Sequence, residues 1–246
     1  MDDRICIGAD GCPGGWICVV SAGDGPLRAV FTPSLGDVVA HPADATVAVD
    51  MPIGLPDAEH GMEPGIRGCD RAARGLLGHP RSSSVFPAPV RDLLAIDSGD
   101  IVRDHTEASR ISQAVSGRKV TRQTMNILPR IREVDELLQS RPALRDRIFE
   151  VHPELSFRAL QGSTVVDGKR TPAGRRCRWD LLTDVFGSEA LAGVEEQIRG
   201  TPARTEDLLD ALACLWSADR IARGVHGTVP EPPEHDATGL RMSISW

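Results

Sequence analysis

The chain has 246 residues, 26% charged and 41% hydrophobic, with a formal net charge of −7; such a makeup excludes disordered and collagen-like chains and allows a sizeable core. It holds no Tyr, five Phe and four Trp, too few for the multi-aromatic stacking surfaces of single-strand-binding proteins, and no apolar run approaches the roughly 20 residues of a membrane span. Charge is uneven: residues 101–180 carry 16 Lys/Arg against 10 Asp/Glu and the remainder 12 against 25, so a basic middle sits in an acidic body, either as a solvated helical surface or as a face for a polyanion.

The acidic start, "MDDRICIGAD", leads straight into a strand over 4–10 and is not patterned as a signal peptide. Strands over 15–21 and 27–32 follow, separated by the Gly/Pro turn "AGDGP", and complete an antiparallel meander. "PSLGDVVAHP" predicts a short helix with Ser34 as N-cap, and "ATVAVDMPIG" a wholly apolar strand that ends on Asp50 and is buried on both faces. From 55 to about 145 the texture is helical. "IRGCDRAARGLL", "HTEASRISQAVSG" and "QTMNILPRIREVDELLQS" have helical period, the last kinked or divided at Pro129. The loop "SSSVFPAP" is expected to anchor Phe86 in the core. "DRIFEVHPE" returns to a strand and "SFRALQG" to a short helix. A basic loop, "DGKRTPAGRRCR", precedes helices over "WDLLTDVFG" and "SEALAGVEEQIRG". "ARTEDLLDALACLWSADRIARG" is the strongest helix, and "LRMSISW" is an edge strand that a second copy could pair with, giving a homodimer. The six cysteines form no CxxC pair and no zinc-like spacing, as expected of reduced thiols in a cytoplasm.

This order fits one α/β domain over 1–246. It has a ribonuclease H-like mixed five-stranded sheet, helices on both faces, and a helical insertion (55–145) between strands four and five.

Acidic residues fall where such a fold would gather them. Asp10 ends the first strand and Asp50 the fourth; if those strands are adjacent and parallel, both side chains emerge at one edge. Glu150, His152 and Glu154 share a face if their segment is extended. Asp207 and Asp210, at i and i+3, share a helix face. Hard divalent cations such as Mg²⁺ or Mn²⁺ take oxygen ligands, and a pair of them can drive phosphodiester hydrolysis. Each acid also has a plain structural use: Asp10 as a turn former, Asp50 as a loop cap, Glu150 as a partner for Arg147 or another base, and Asp207 at a helix dipole. Asp210 interrupts an apolar face and has no such simple use.

The motifs "GADGCPGGW", "VAVDMPIGLP", "RGCDRAAR", "SSVFPAPVR", "GRKVTRQTMNILPRIREVD", "EVHPELSF" and "EDLLDALACLWSADR" run through nearly the whole chain. In that order they resemble the domain-of-unknown-function family numbered 429, which is grouped with predicted nucleases of ribonuclease H-like fold. The resemblance implies Asp10, Asp50, Glu150 and Asp210 as catalytic and metal-binding residues. Asp207 adds the paired aspartate of Holliday-junction resolvases to the metal set. In "EVHPE" either Glu150 or Glu154 is the inward acid; Glu150 is preferred because Pro153 should end the strand.

Arg118, Lys119, Arg122, Gln123, Asn126 and Arg130 offer a polar stripe for a substrate phosphate, or an exposed face held by pairs such as Arg132 with Glu136. His152 adds a further substrate-binding candidate. Taken together, the residues predict a metal-dependent nuclease or phosphodiesterase acting on nucleic acid or a small phosphodiester. Rival readings are an actin-like phosphotransferase or ATPase using "DGCPGG" for phosphates, and a non-catalytic nucleic-acid-binding module.

Overall fold

The computed structural model describes residues 4–40, 44–58 and 66–246; part of the turn-rich stretch before "IRGCDRAARGLL", residues 59–65, lies outside them. The meander is present as β1 (Ile5–Cys12), β2 (Gly15–Ala22) and β3 (Arg28–Thr32). Helix α1 (Leu35–Val39) follows, with the Ser34 side chain accepting from the Gly36 N–H as the predicted cap, and then β4 (Thr46–Asp50). The insertion holds α2 (Gly68–Leu77), two short 3₁₀ turns, α3 (Ile101–Ser116) and α4 (Arg122–Ser140). After β5 (Ile148–Glu150) come α5 (Pro153–Gln161), α6 (Pro172–Phe186), α7 (Ser188–Gln197) and α8 (Thr205–Ala222). The tail forms a separate two-stranded sheet from β6 (Thr228–His235) and β7 (Arg241–Ser245).

The main sheet has the order β3-β2-β1-β4-β5. β1–β2 and β2–β3 are antiparallel, whereas β1–β4 and β4–β5 are parallel. It is therefore a mixed five-stranded sheet, and helices cover both faces. Strand alternation sorts the side chains. Cys6, Ile17, Val19 and Ala48 pack under Leu208, Leu212 and Leu215 of α8. Ile7, Ala9, Trp16, Cys18, Val47 and Val49 pack on the other face with Leu35 and Val39 of α1 and Ile131, Val134 and Leu138 of α4.

Three elements depart from the sequence reading. α4 runs unbroken through Pro129, whose ring lies on the exposed side. α6 begins inside the presumed basic loop, because Thr171 caps it and Pro172 takes its first position, where a missing N–H costs nothing. α5 starts at Pro153, so Glu150, His152 and Glu154 do not share an extended face.

Both outer strands of the sheet are engaged. The segment "MSIS" pairs with β6 of its own chain, and Ser245 makes a parallel bridge to Val151 beyond β5. At the other edge the Gln197 carboxamide accepts from the Ala29 N–H (2.7 Å) and donates to the Leu27 carbonyl (3.4 Å). Among the described residues, no helix is long and apolar enough to cross a membrane.

Candidate functional site

Parity along two strands builds the site. Asp10 follows Cys6 and Gly8 at every second position of β1, and Asp50 follows Ala48 on β4; Cys6 and Ala48 belong to the face that α8 covers. Asp10 and Asp50 are direct partners in the parallel β1–β4 register. Gly8 lets α8 lie against the sheet: a Cβ there would overlap the Ala211 carbonyl oxygen and the Leu215 nitrogen and stand 2.7 Å from Leu215 Cα. That backbone contact, one residue from Asp210, brings the buried Asp210 over the strand pair.

The charges feel one another. Burial raises the Asp10 carboxyl well above the ordinary range, and the Asp50, Asp210 and Asp207 charges raise it further, while Lys169 opposes them. Burial also raises Asp50, to about 6, with Asp210 and Glu154 adding to the shift and His152 and Lys169 opposing it. Asp207 is raised by burial as well, although one of its oxygens accepts from the Arg204 N–H (2.9 Å) and caps α8. The Lys169 ammonium pairs with Asp210 and is held protonated chiefly by that charge. One lysine thus faces three buried or half-buried aspartates, with a fourth at the helix start. Cys12, beside them, has its thiol pushed up to about 12, first by burial and then by the Asp207 and Asp10 charges, so it is no thiolate nucleophile at neutral pH.

Glu150 lines the same cavity as Asp10 and Asp50, but its charge is already met by an arginine. Its two oxygens accept from Arg67 at 2.6 and 2.8 Å, and one also accepts from the Ile53 N–H at 2.7 Å. Arg67 is 1% exposed; it also donates to both Asp70 oxygens (2.6 and 3.1 Å) and to the carbonyls of Ile53 and Gly54. Asp70 in turn accepts from the Ala88 N–H (3.2 Å). Glu150 thus lines the cavity with both oxygens taken by Arg67, a base other than Arg147. Glu154, the alternative, raises Asp50 but is itself held by Arg178 (2.7 and 2.8 Å) and Arg81 (3.1 Å). Replacing Arg67 with Ala should leave two carboxylates buried and unpaired, costing roughly 3–5 kcal/mol. Thermal unfolding should show a drop of about 10 °C, and an unchanged melt would refute this account of Glu150.

A cavity of about 560 Å³ opens above the aspartates, walled by the 81–89 segment, the start of α4 and residues 168–170. Of the predicted stripe only Gln123 lines it. Arg122 and Asn126 face solvent, because helix rotation points Thr124, Leu128 and Ile131 inward. Arg130 is drawn to Glu133 (3.0 Å), the Pro33 carbonyl and the Trp16 ring. Arg118 and Lys119 line a separate cleft of about 60 Å³ that shares the 87–89 wall. Arg132 braces Leu94, Ile96 and Asp97 rather than Glu136. His152 lines the cavity with both nitrogens engaged: Nδ1 accepts from the Glu154 N–H (3.3 Å), so Nε2 carries the proton and donates to the Ser84 carbonyl (3.2 Å). In the 81–89 segment Val85 is the core anchor and Phe86 is 41% exposed and lines the cavity, the reverse of the expectation.

Lys169 and Arg67 were not singled out from the sequence. Nothing in the spacing of "DGKRTP" marks a lysine for the site. Gly8, a glycine inside an apolar strand, did carry a signal, since such residues mark close backbone approach.

Comparison with known proteins adds one finding: residues 8–235 match the family model described as "Protein of unknown function (DUF429)". Neither the curated proteins nor the solved structures contain a match.

Proposed function

The chain belongs to that family, and from its own site we propose that it is a divalent-metal-dependent phosphodiester hydrolase, a nuclease in the broad sense, built on a ribonuclease H-like sheet. The observation that carries this reading is the in-register Asp10–Asp50 pair lying beneath Asp210 of α8. Three separate elements contribute acids to one desolvated place, an arrangement that repels itself unless a cation neutralises it. The strand order and the long covering helix support the fold assignment.

The donor set fits a hard cation: the groups are carboxylates, as Mg²⁺ or Mn²⁺ prefers. Asp10, Asp50 and Asp210 would hold it, with the second oxygen of Asp207 nearby. Among the described residues no three acids, histidines or cysteines stand at ligating spacing, and Lys169 occupies Asp210 instead, so loading requires Lys169 to release that carboxylate. When bound, the cation supplies Lewis-acid activation of water and neutralises charge at the phosphate. The chain's own part is to draw an anionic group in, with Lys169, Arg170 and Arg81 at the cavity wall, and to exclude bulk water from it. The acidic body weakens long duplex contacts, whose affinity grows with each neutralised phosphate, so the substrate is short, single-stranded or small. Six free cysteines suit a reducing, cytoplasmic setting.

Calorimetric titration with Mn²⁺ tests the reading. Ligation must strip protons from the raised carboxyls of Asp10 and Asp50. Affinity is therefore expected to climb between about pH 5 and 7, with proton release seen as heats that depend on the buffer. A titration showing no binding heat and no rise in melting temperature at pH 7.5 would reject it.

A further inference from the structure

Phe86 breaks the usual placement of a large apolar side chain. It is 41% exposed, and among the described residues it is the one Phe or Trp lining the cavity that holds the aspartates. Its backbone is fixed on both sides. Val85 is buried and its carbonyl accepts from Arg74 (3.1 Å), whereas Pro87 follows directly and the Ala88 N–H is held by Asp70. Asp70 is clamped by the buried Arg67, so the ring stands on a rigid support that already exists without ligand. Exposing a phenyl ring to water forfeits burial energy, and the loop had an apolar anchor available in Val85.

We propose that Phe86 is a stacking platform for one unpaired nucleobase, so that the substrate enters as a nucleotide of a single strand with its phosphate toward Lys169 and Arg170. The placement of the phosphate rests on the hydrolase reading above; the stacking does not. Aromatic rings bind bases through their faces with little regard to sequence. The scarcity of aromatic residues excludes an extended stacking surface but leaves room for one ring. A cavity of about 560 Å³ suits a small part of a strand rather than a duplex. Through Asp70, which accepts from the Ala88 N–H and is itself held by Arg67, the buried Arg67–Asp70–Glu150 cluster braces the loop that carries Phe86.

The test uses 5′-fluorescein hexathymidylate and an abasic hexamer of the same charge, with anisotropy read in EDTA at low salt. The full chain should bind the thymidylate more tightly than the abasic strand by roughly 5- to 150-fold, the range for one stacked base. Phe86→Ala should erase that preference, with binding of the abasic strand unchanged, and Phe86→Trp should keep or raise it. Equal binding of both strands, binding of neither, or a preference that survives Phe86→Ala would overturn the proposal. Should Phe86→Ala fold poorly, the comparison of the two strands on the wild type and on Phe86→Trp still decides it. Because the readout needs no metal, a base preference without Mn²⁺ binding would defeat the hydrolase reading alone, and Mn²⁺ binding without a base preference would defeat the stacking site alone.

Discussion

Asp10→Asn should yield a protein that is more stable than the wild type without metal, yet has lost most of its metal affinity and at least about 100-fold of its cleavage rate. The two effects share one cause. Burial and three neighbouring aspartates raise the Asp10 carboxyl well above its unfolded value. A carboxyl whose pKa is raised on folding favours the fold fully below its unfolded pKa, near 4, and this contribution disappears as pH climbs through the folded value. For Asp50 that window closes at about pH 6. The metal-free wild type should therefore lose on the order of 2 kcal/mol from this site between pH 4 and pH 7, and the asparagine variant should lose much less. The activity estimate follows from analogy with outer-sphere partners, whose loss already costs about 10- to 100-fold in metal affinity or activity. Chemical denaturation across pH, with and without Mg²⁺, checks the stability arm. An Asp10→Asn protein that is less stable than the wild type at pH 7.5 in EDTA would show that the acids are not in conflict.

Gly8→Ala should be among the most damaging single substitutions in the chain. The new methyl would overlap the backbone of α8 at Ala211 and Leu215, and backbone atoms cannot rotate away as side chains do. Helix and sheet must part, costing about 3 kcal/mol or more. The site would suffer with the core, because the same helix carries Asp207 and Asp210. Gly75→Ala, inside α2 where nothing lies within 4 Å of the added carbon, should instead be neutral or stabilising by up to about 1 kcal/mol. Urea unfolding of the two variants beside the wild type gives the comparison, and similar midpoints for both would refute the close helix–sheet contact.

The contrast between these residues shows what was legible in the sequence. Period-2 alternation and an unbroken apolar strand sufficed to order β1 to β4 and to put Asp10 and Asp50 at one sheet edge, because both are local patterns. The helical pair Asp207 and Asp210 was legible for the same reason. The pairing of Glu150 with Arg67 was not legible, because the two lie 83 residues apart and no local pattern encodes it. The arginine stripe of α4 had the right spacing for one face but the wrong face, since only the buried Thr124, Leu128 and Ile131 fix the rotation of the helix. The start of α6 was written plainly as Thr-Pro and was masked by basic residues that suggested a loop.

The sheet's two outer strands carry a consequence for behaviour in a crowded cell. A bare strand is a template for any other extended chain. Here the carboxamide of Gln197 plugs one rim and the C-terminal ribbon shields the other. With a side chain on one rim and a strand of its own chain beside the other, strand-by-strand growth into aggregates finds less purchase at these positions.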